Sequence, residues 1–108
     1  MPKGIMVVQS GPSDPAREDE YNEWYGKTHL ADVCAVPGFV GARRYKVRDG
    51  GGEGGAGPSY LAIYEIEADD LAAPLAELRA RSISGQIKMS DALQMDPAPV
   101  VTFYELIE

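Results

Sequence analysis

Projected at roughly 100° per residue, Tyr21, Tyr25, His29 and Asp32 gather on one side of a helix wheel with Val33 and Val36. Glu20, Glu23, Lys27 and Ala31 fall opposite. A small domain ordinarily fills such an inner stripe with aliphatic side chains, each contributing roughly 1.5–3 kcal/mol when fully buried. Here the only histidine of the chain takes one of those places. An imidazole with an unperturbed pKa of about 6.5 accepts and returns a proton near neutrality. Asp32, three residues on, can reach one ring nitrogen and fix its tautomer. Tyr25, one turn before His29, completes a short relay, and Tyr21 offers a second hydroxyl for an enolate oxygen. The same residues also allow a plainer arrangement, with His29 a core histidine satisfied by a backbone carbonyl and Asp32 turned to Arg43 or Arg44. Desolvating a polar group without a partner costs ~1–3 kcal/mol, so several polar groups on one inner stripe point to a cavity rather than a packed core.

The walls of that cavity are expected from the strands. Arg43 and Tyr45 share one strand face, Tyr60 and Tyr64 another, and Thr102 and Tyr104 a third. With Gln9 and Trp24, the residues Arg43, Tyr45, Tyr64 and Tyr104 make the expected substrate lining, an amphipathic surface suited to a flat aromatic or polyketide-like ligand. Trp24 sits at the edge of the helical stripe, where it either packs on the sheet or roofs the pocket. Other chemistries lack their parts. One histidine and one nearby aspartate do not complete a three-ligand metal site, and no HExxH or paired-cysteine spacing occurs. Cys34 projects roughly 140° from His29, too far round the helix for a Cys–His pair. There is no Gly-x-Ser-x-Gly elbow and no dinucleotide fingerprint. The expected site therefore uses no cofactor and no metal.

The elements that must position these groups follow from punctuation and periodicity. Residues 4–10 (GIMVVQS) read as a buried strand bounded by Gly11-Pro12. Asp14-Pro15 starts a helix, with the carboxylate as cap and proline at the first helical position. That helix runs to about Ala35, because Pro37 disfavours helical backbone at Val36 and Gly38 suits a turn. Residues 39–48 form a second strand, with Phe39, Arg43, Tyr45 and Val47 on one face and Val40, Ala42, Arg44 and Lys46 on the other. Gly50 to Gly57 is a glycine-dense hairpin connection; a phosphate cradle would need a Lys and a Ser or Thr opening a helix, and Pro58 and a strand follow instead. Residues 60–67 are the third strand. Asp69-Asp70 open a second helix whose Leu71, Leu75 and Leu78 read as an ordinary core stripe, ended by Ser84-Gly85. Residues 86–95 read as a short extra turn, and Val100 to Ile107 as the last strand.

The order βαββαβ predicts an α+β, ferredoxin-like protomer: a four-stranded antiparallel sheet with two helices on one face and right-handed crossovers. The other face would expose Val, Ile and Phe, which calls for a partner sheet, most simply from a second copy in a homodimer. With 108 residues, the chain is expected to be a single domain spanning 1–108. A formal charge of −7 with few, scattered basic residues argues against a nucleic-acid partner. No run approaches the ~18 apolar residues of a membrane span. A lone cysteine and no amino-terminal leader pattern set the expected location in the cytoplasm.

The run Trp24-Tyr25, then His29, then Val36-Pro37-Gly38-Phe39, then Arg44-Tyr45 resembles the EthD-like branch of the dimeric α+β barrel superfamily. The resemblance covers residues 3–48 by motif and the remainder by element order. It implies dimerisation through the sheets and a ligand cavity in each protomer between sheet and helices, with His29 matching the family's helix histidine. The superfamily spans polyketide cyclases, lactone isomerases, cofactor-independent monooxygenases, a hydroxynitrile lyase, haem peroxidases and proteins with no known reaction. No counterpart of the axial histidine of the haem-binding members is present, and Asn22 and Trp24 supply the residue types of the quinone-forming monooxygenases at a different spacing. The function expected from residues and resemblance together is cofactor-independent proton transfer by His29 on a small hydrophobic carbonyl substrate, as a cyclase, isomerase or lyase. A cofactor-free monooxygenase of phenolic substrates and a non-catalytic or stress-associated binding barrel are the rivals.

Overall fold

Strict alternation of buried and half-buried residues through Tyr60, Ala62, Tyr64 and Ile66 makes one strand the spine of the protein. The computed structural model describes residues 2–48 and 59–107; the expected glycine connection at 50–57 lies outside them. Four strands, β1 (Lys3–Ser10), β2 (Phe39–Lys46), β3 (Tyr60–Glu67) and β4 (Val100–Glu105), form one antiparallel sheet in the order β2-β3-β1-β4. Met6 stands opposite Tyr64 on one side and Phe103 on the other, and Val8 opposite Ala62 and Val101. This series faces the helices. Ile5, Val7 and Gln9, with Leu61, Ile63, Thr102 and Tyr104 beside them, face the other way.

The Asp14 cap forms as expected, its Oδ1 accepting from the Ala16 N–H at 2.8 Å ahead of a 3-10 turn at Pro15–Arg17. The helix that follows is not continuous. An α-helical stretch α1 (Glu18–Trp24) passes into a π-helical turn at Tyr25–His29 and then into α2 (Leu30–Cys34). The Leu30 N–H reaches back to the Tyr25 carbonyl. One inserted residue per turn sets everything beyond it back by roughly 100° from the α-helical projection. Tyr21, Tyr25, Val33 and Val36 remain buried, whereas His29 and Asp32 are half-buried at the margin of the stripe.

Gly38 ends this unit at φ +100°, and a Cβ there would overlap the Pro74 ring. The turn is therefore the seat on which α3 (Ala72–Ser84) docks. Asp70 Oδ1 accepts from the Ala72 N–H at 3.0 Å to start α3, and Gly85 at φ +87° ends it. Residues 86–95 are an irregular strap that contains a short turn, Leu93 N–H to Ser90 O, and is stitched to the β1–α1 connection by Ser13 N–H to Ala92 O and Gln94 N–H to Gly11 O. It buries Ile87, Ala92 and Leu93.

A bulge in β2 changes the expected facing. Phe39 pairs with Ile66 and Gly41 with Glu65, so Val40 is the extra residue. Phe39 is turned to the helix side, edge-on to Tyr64 at 6.3 Å, while Arg43 and Tyr45 look out from the opposite face. Phe39 and Arg43 therefore do not share a face. No helix of the described residues is long and apolar enough to cross a membrane.

Candidate functional site

A cavity of about 630 Å³ lies between the sheet and its helical cover. Met6, Val8 and Ser10 of β1 form its floor, with Val101 and Phe103 of β4. Tyr25, His29 and Val33 form one wall, Leu75, Leu78, Arg79 and Ser82 of α3 the other, and Ile87, Met89 and Leu93 of the strap close an end. Leu75 and Leu78 are thus not only core: they face open space.

His29, the last residue of the π turn, still reaches this wall. Its ring stacks on Trp24 at 4.8 Å with a 29° tilt and meets the Tyr25 edge at 4.9 Å. Nδ1 is sealed from solvent and has no hydrogen-bond partner among the described residues. Burial pulls the imidazole pKa down to about 4; the Asp32 carboxylate opposes this, and the nearby Arg44 cation adds to it. The ring is neutral at physiological pH.

Asp32 does not orient His29. Its Oδ2 accepts from the Lys88 N–H at 3.0 Å, while Trp24 Nε1 donates to the Lys88 carbonyl at 3.0 Å. Trp24 and Asp32 together hold Lys88 by both backbone groups, which leaves Ile87 and Met89 on either side as cavity wall. Trp24 itself backs His29 and does not line the cavity. The expected turn of Asp32 toward a strand arginine is also absent.

Below His29 lies a sealed hydroxyl cluster. Tyr64 donates to the Tyr25 hydroxyl at 3.2 Å, and Ser10 Oγ bonds the Tyr21 hydroxyl at 2.7 Å. Burial raises the phenol pKa of Tyr21, Tyr25 and Tyr64 alike, so all stay protonated. Of these, Tyr25 and Ser10 reach the cavity. Over the cluster sits Arg44, its guanidinium carbon 4.3 Å from the Tyr25 ring centre, 5.3 Å from Tyr60 and 5.5 Å from Tyr21. Arg44 donates to Asn22 Oδ1 at 2.9 Å, Asn22 donates to the Tyr60 hydroxyl at 3.0 Å, and Tyr60 donates to Glu18. Among the described residues no carboxylate is within ion-pair reach of Arg44. Cations held over aromatic faces are attracted by the ring quadrupole, which replaces the missing counter-ion in part.

Four residues of the expected lining stand elsewhere. Gln9, Arg43, Tyr45 and Tyr104 lie on the open sheet face, away from His29, and Arg43 is 68% exposed in an ion pair with Glu65 at 2.8 Å. Period-two alternation puts neighbouring strand residues on opposite faces, so choosing the wrong phase misplaces the whole set. Sequence reasoning assigned no site role to Arg44, Ser10 or the strap. The i, i+4, i+7 pattern from Leu75 to Ser82 held the signal for the α3 wall, because it runs from leucine into Arg79 and Ser82. Among the described residues no three His, Cys, Asp or Glu side chains converge as a metal-ligand set.

No family model matches the sequence, nor does any curated protein. Solved structures do match over nearly the whole chain. An EthD family protein from Bacillus halodurans is 18% identical, with 95% of this chain and 96% of that one covered and a TM-score of 0.61. A dimeric ferredoxin-like protein from an uncultured marine organism is 9% identical over 100% and 98%, with a TM-score of 0.64. SnoaB, a cofactor-independent oxygenase from Streptomyces nogalater, is 15% identical over 98% and 92%, with a TM-score of 0.54. The chain has the four-stranded ferredoxin-like α+β fold of these structures.

Proposed function

We propose that the chain is a cofactor-independent enzyme in which His29 moves a proton at the carbonyl or enolate oxygen of a hydrophobic, aromatic or polyketide-like substrate, in a cyclase, isomerase or lyase reaction. The observation that carries this reading is the neutral His29 ring, with a sealed, unpartnered Nδ1, on the wall of a mostly aliphatic cavity. Of the two neutral tautomers, one buries an orphaned N–H and the other only an unused lone pair, and orphaned buried N–H groups are the rarer. On this reading the proton sits on Nε2, the ring nitrogen that is not sealed. A neutral imidazole N–H donates to a carbonyl oxygen and follows the charge that develops on it, while a solvent water takes the proton from the adjacent carbon and solvent returns a deuteron there. Tyr25, with Tyr64 donating behind it and Arg44 over its ring, supplies a second hydroxyl and a positive field to the same oxygen.

The test is deuterium uptake from solvent next to the carbonyl of 2-tetralone, followed by NMR. His29→Gln is expected to slow it by roughly 10²–10⁴-fold, the usual contribution of a positioned acid or base. Unchanged uptake in that variant sinks the proposal. The fold shared with a cofactor-independent oxygenase favours a second reading, in which a phenolic substrate reduces O₂ directly. Oxygen uptake with an anthrone, without added flavin or metal, selects it. Protection of the protein against melting by either compound, with neither reaction, returns it to a binding barrel.

The chain is further proposed to pair with a second copy through the open sheet face. That face carries Ile5, Val7, Leu61, Ile63, Tyr45 and Tyr104, and a similar protein is described as dimeric.

A further inference from the structure

We infer that the cavity takes an anionic ligand, an apolar ring system bearing a carboxylate, with Arg79 of α3 as the group that binds the charge. This rests on the cavity being the substrate site proposed above. The cavity side of α3 runs from half-buried Leu75 and Leu78 to Arg79 and Ser82, both exposed, so its last two turns place a guanidinium and a hydroxyl at the solvent-open part of the lining. Among the described residues Arg79 is the one side chain lining the cavity that is charged at neutral pH, since His29 is neutral there.

Acids are abundant in this chain, 17 against 10 bases, and among the described residues three of the six arginines pair with them. Arg17 pairs with Glu20 and Asp91, Arg43 with Glu65, and Arg81 with Glu77. Among the described residues Arg79 pairs with none, although Arg81, two positions on, does. The remainder of the lining offers aliphatic and aromatic surface with no carboxylate to compete. A planar fork of donors beside a hydroxyl matches a carboxylate in two-point geometry, whereas a neutral amide offers that fork a single oxygen. The apolar interior takes the rings, and the charge stays at the guanidinium, where no counter-ion must be displaced.

Calorimetric titration of the whole chain with 2-naphthoate and with 2-naphthamide tests this. The wild type is expected to bind the carboxylate about tenfold more tightly, the usual size of a charged hydrogen bond at a partly solvated site. Salt erodes the preference. Arg79→Gln is expected to equalise the two affinities, by weakening naphthoate binding more than naphthamide binding. Equal affinities in the wild type, or a preference that survives in Arg79→Gln, overturn the assignment. Binding of neither ligand overturns it too, and with it the cavity as a site for fused rings. The preference for naphthoate over naphthamide is expected to persist in His29→Gln whatever happens to the affinities themselves, so a failure of the proton-transfer reading leaves the charge preference measurable.

Discussion

Arg43 and Arg44 are neighbours of one residue type with opposite fates. Arg43 stands on the open face of the sheet, largely in solvent and paired with Glu65. Arg44 stands on the helix face, among Tyr21, Tyr25 and Tyr60, with an asparagine oxygen for a partner instead of an acid. On the outer face a charge is a solvated ornament of the strand, because water and a mobile carboxylate screen it. On the inner face the same charge acts on everything around it: it depresses the His29 pKa and favours the anionic form of Tyr21, Tyr25 and Tyr64. The face a residue takes thus decides the electrostatic role of its charge.

The difference is broken most directly by activity. His29→Gln is expected to remove roughly 10²–10⁴ of the rate of exchange at 2-tetralone, whereas Gln9→Ala and Tyr104→Phe on the outer face are expected to leave it unchanged. A loss from either outer variant comparable to that from His29→Gln would mean that the outer face takes part. Next in size is a pH effect. The folded His29 pKa of about 4 lies below the unfolded value of 6.5, so the unfolded chain binds more protons between them. Stability from this group is complete above pH 6.5 and is lost as pH falls toward 4, by roughly 3 kcal/mol at full extent. Urea melts across that window should show a flatter profile for His29→Gln than for wild type, with carboxylate effects cancelling between the two. Third, Arg44→Met is expected to cost about 2–3 kcal/mol, by removing a desolvated cation–π contact and stranding Asn22 Oδ1. Arg43→Met should leave the urea midpoint where it was. Similar midpoints for both would collapse the distinction between the faces.

How far this could be read beforehand depends on what carries the signal. Asp14-Pro15, Pro37-Gly38 and Gly85 act through their own backbone, so helix starts and stops were legible. The alternation of β3 was legible because its two faces differ in exposure at every step. In β1 both Met6 and Val8 on one side and Ile5 and Val7 on the other are apolar, so Gln9 carried no sign of its face. In β2 the residue that should have set the phase was Phe39, and the bulge at Val40 reversed it relative to Arg43 and Tyr45. Strict alternation therefore drew Arg43 inward and sent Arg44 out. The π turn had the same effect on the helix: His29 still reaches the interior, but Asp32 is carried round to the strap. Bulges and π turns are choices made by tertiary packing, and a periodic reading averages over them.

The smallest expected effect bears on that strap. Asp32 Oδ2 accepts one backbone N–H, from Lys88, and an asparagine can accept it as well. If holding Lys88 is the work of Asp32, Asp32→Asn should melt close to wild type, while Asp32→Ala should lose about 1 kcal/mol, one exposed hydrogen bond. The imidazole reports on the alternative. The Asp32 charge raises the His29 pKa, so both variants should push it further down, to the same extent, as followed by NMR titration of the single histidine. An Asp32 that instead gripped the ring would make the alanine variant the outlier in that titration, because the asparagine could still hold the imidazole in place. Equal shifts with unequal stabilities separate a residue that positions the cavity wall from one that positions the proton.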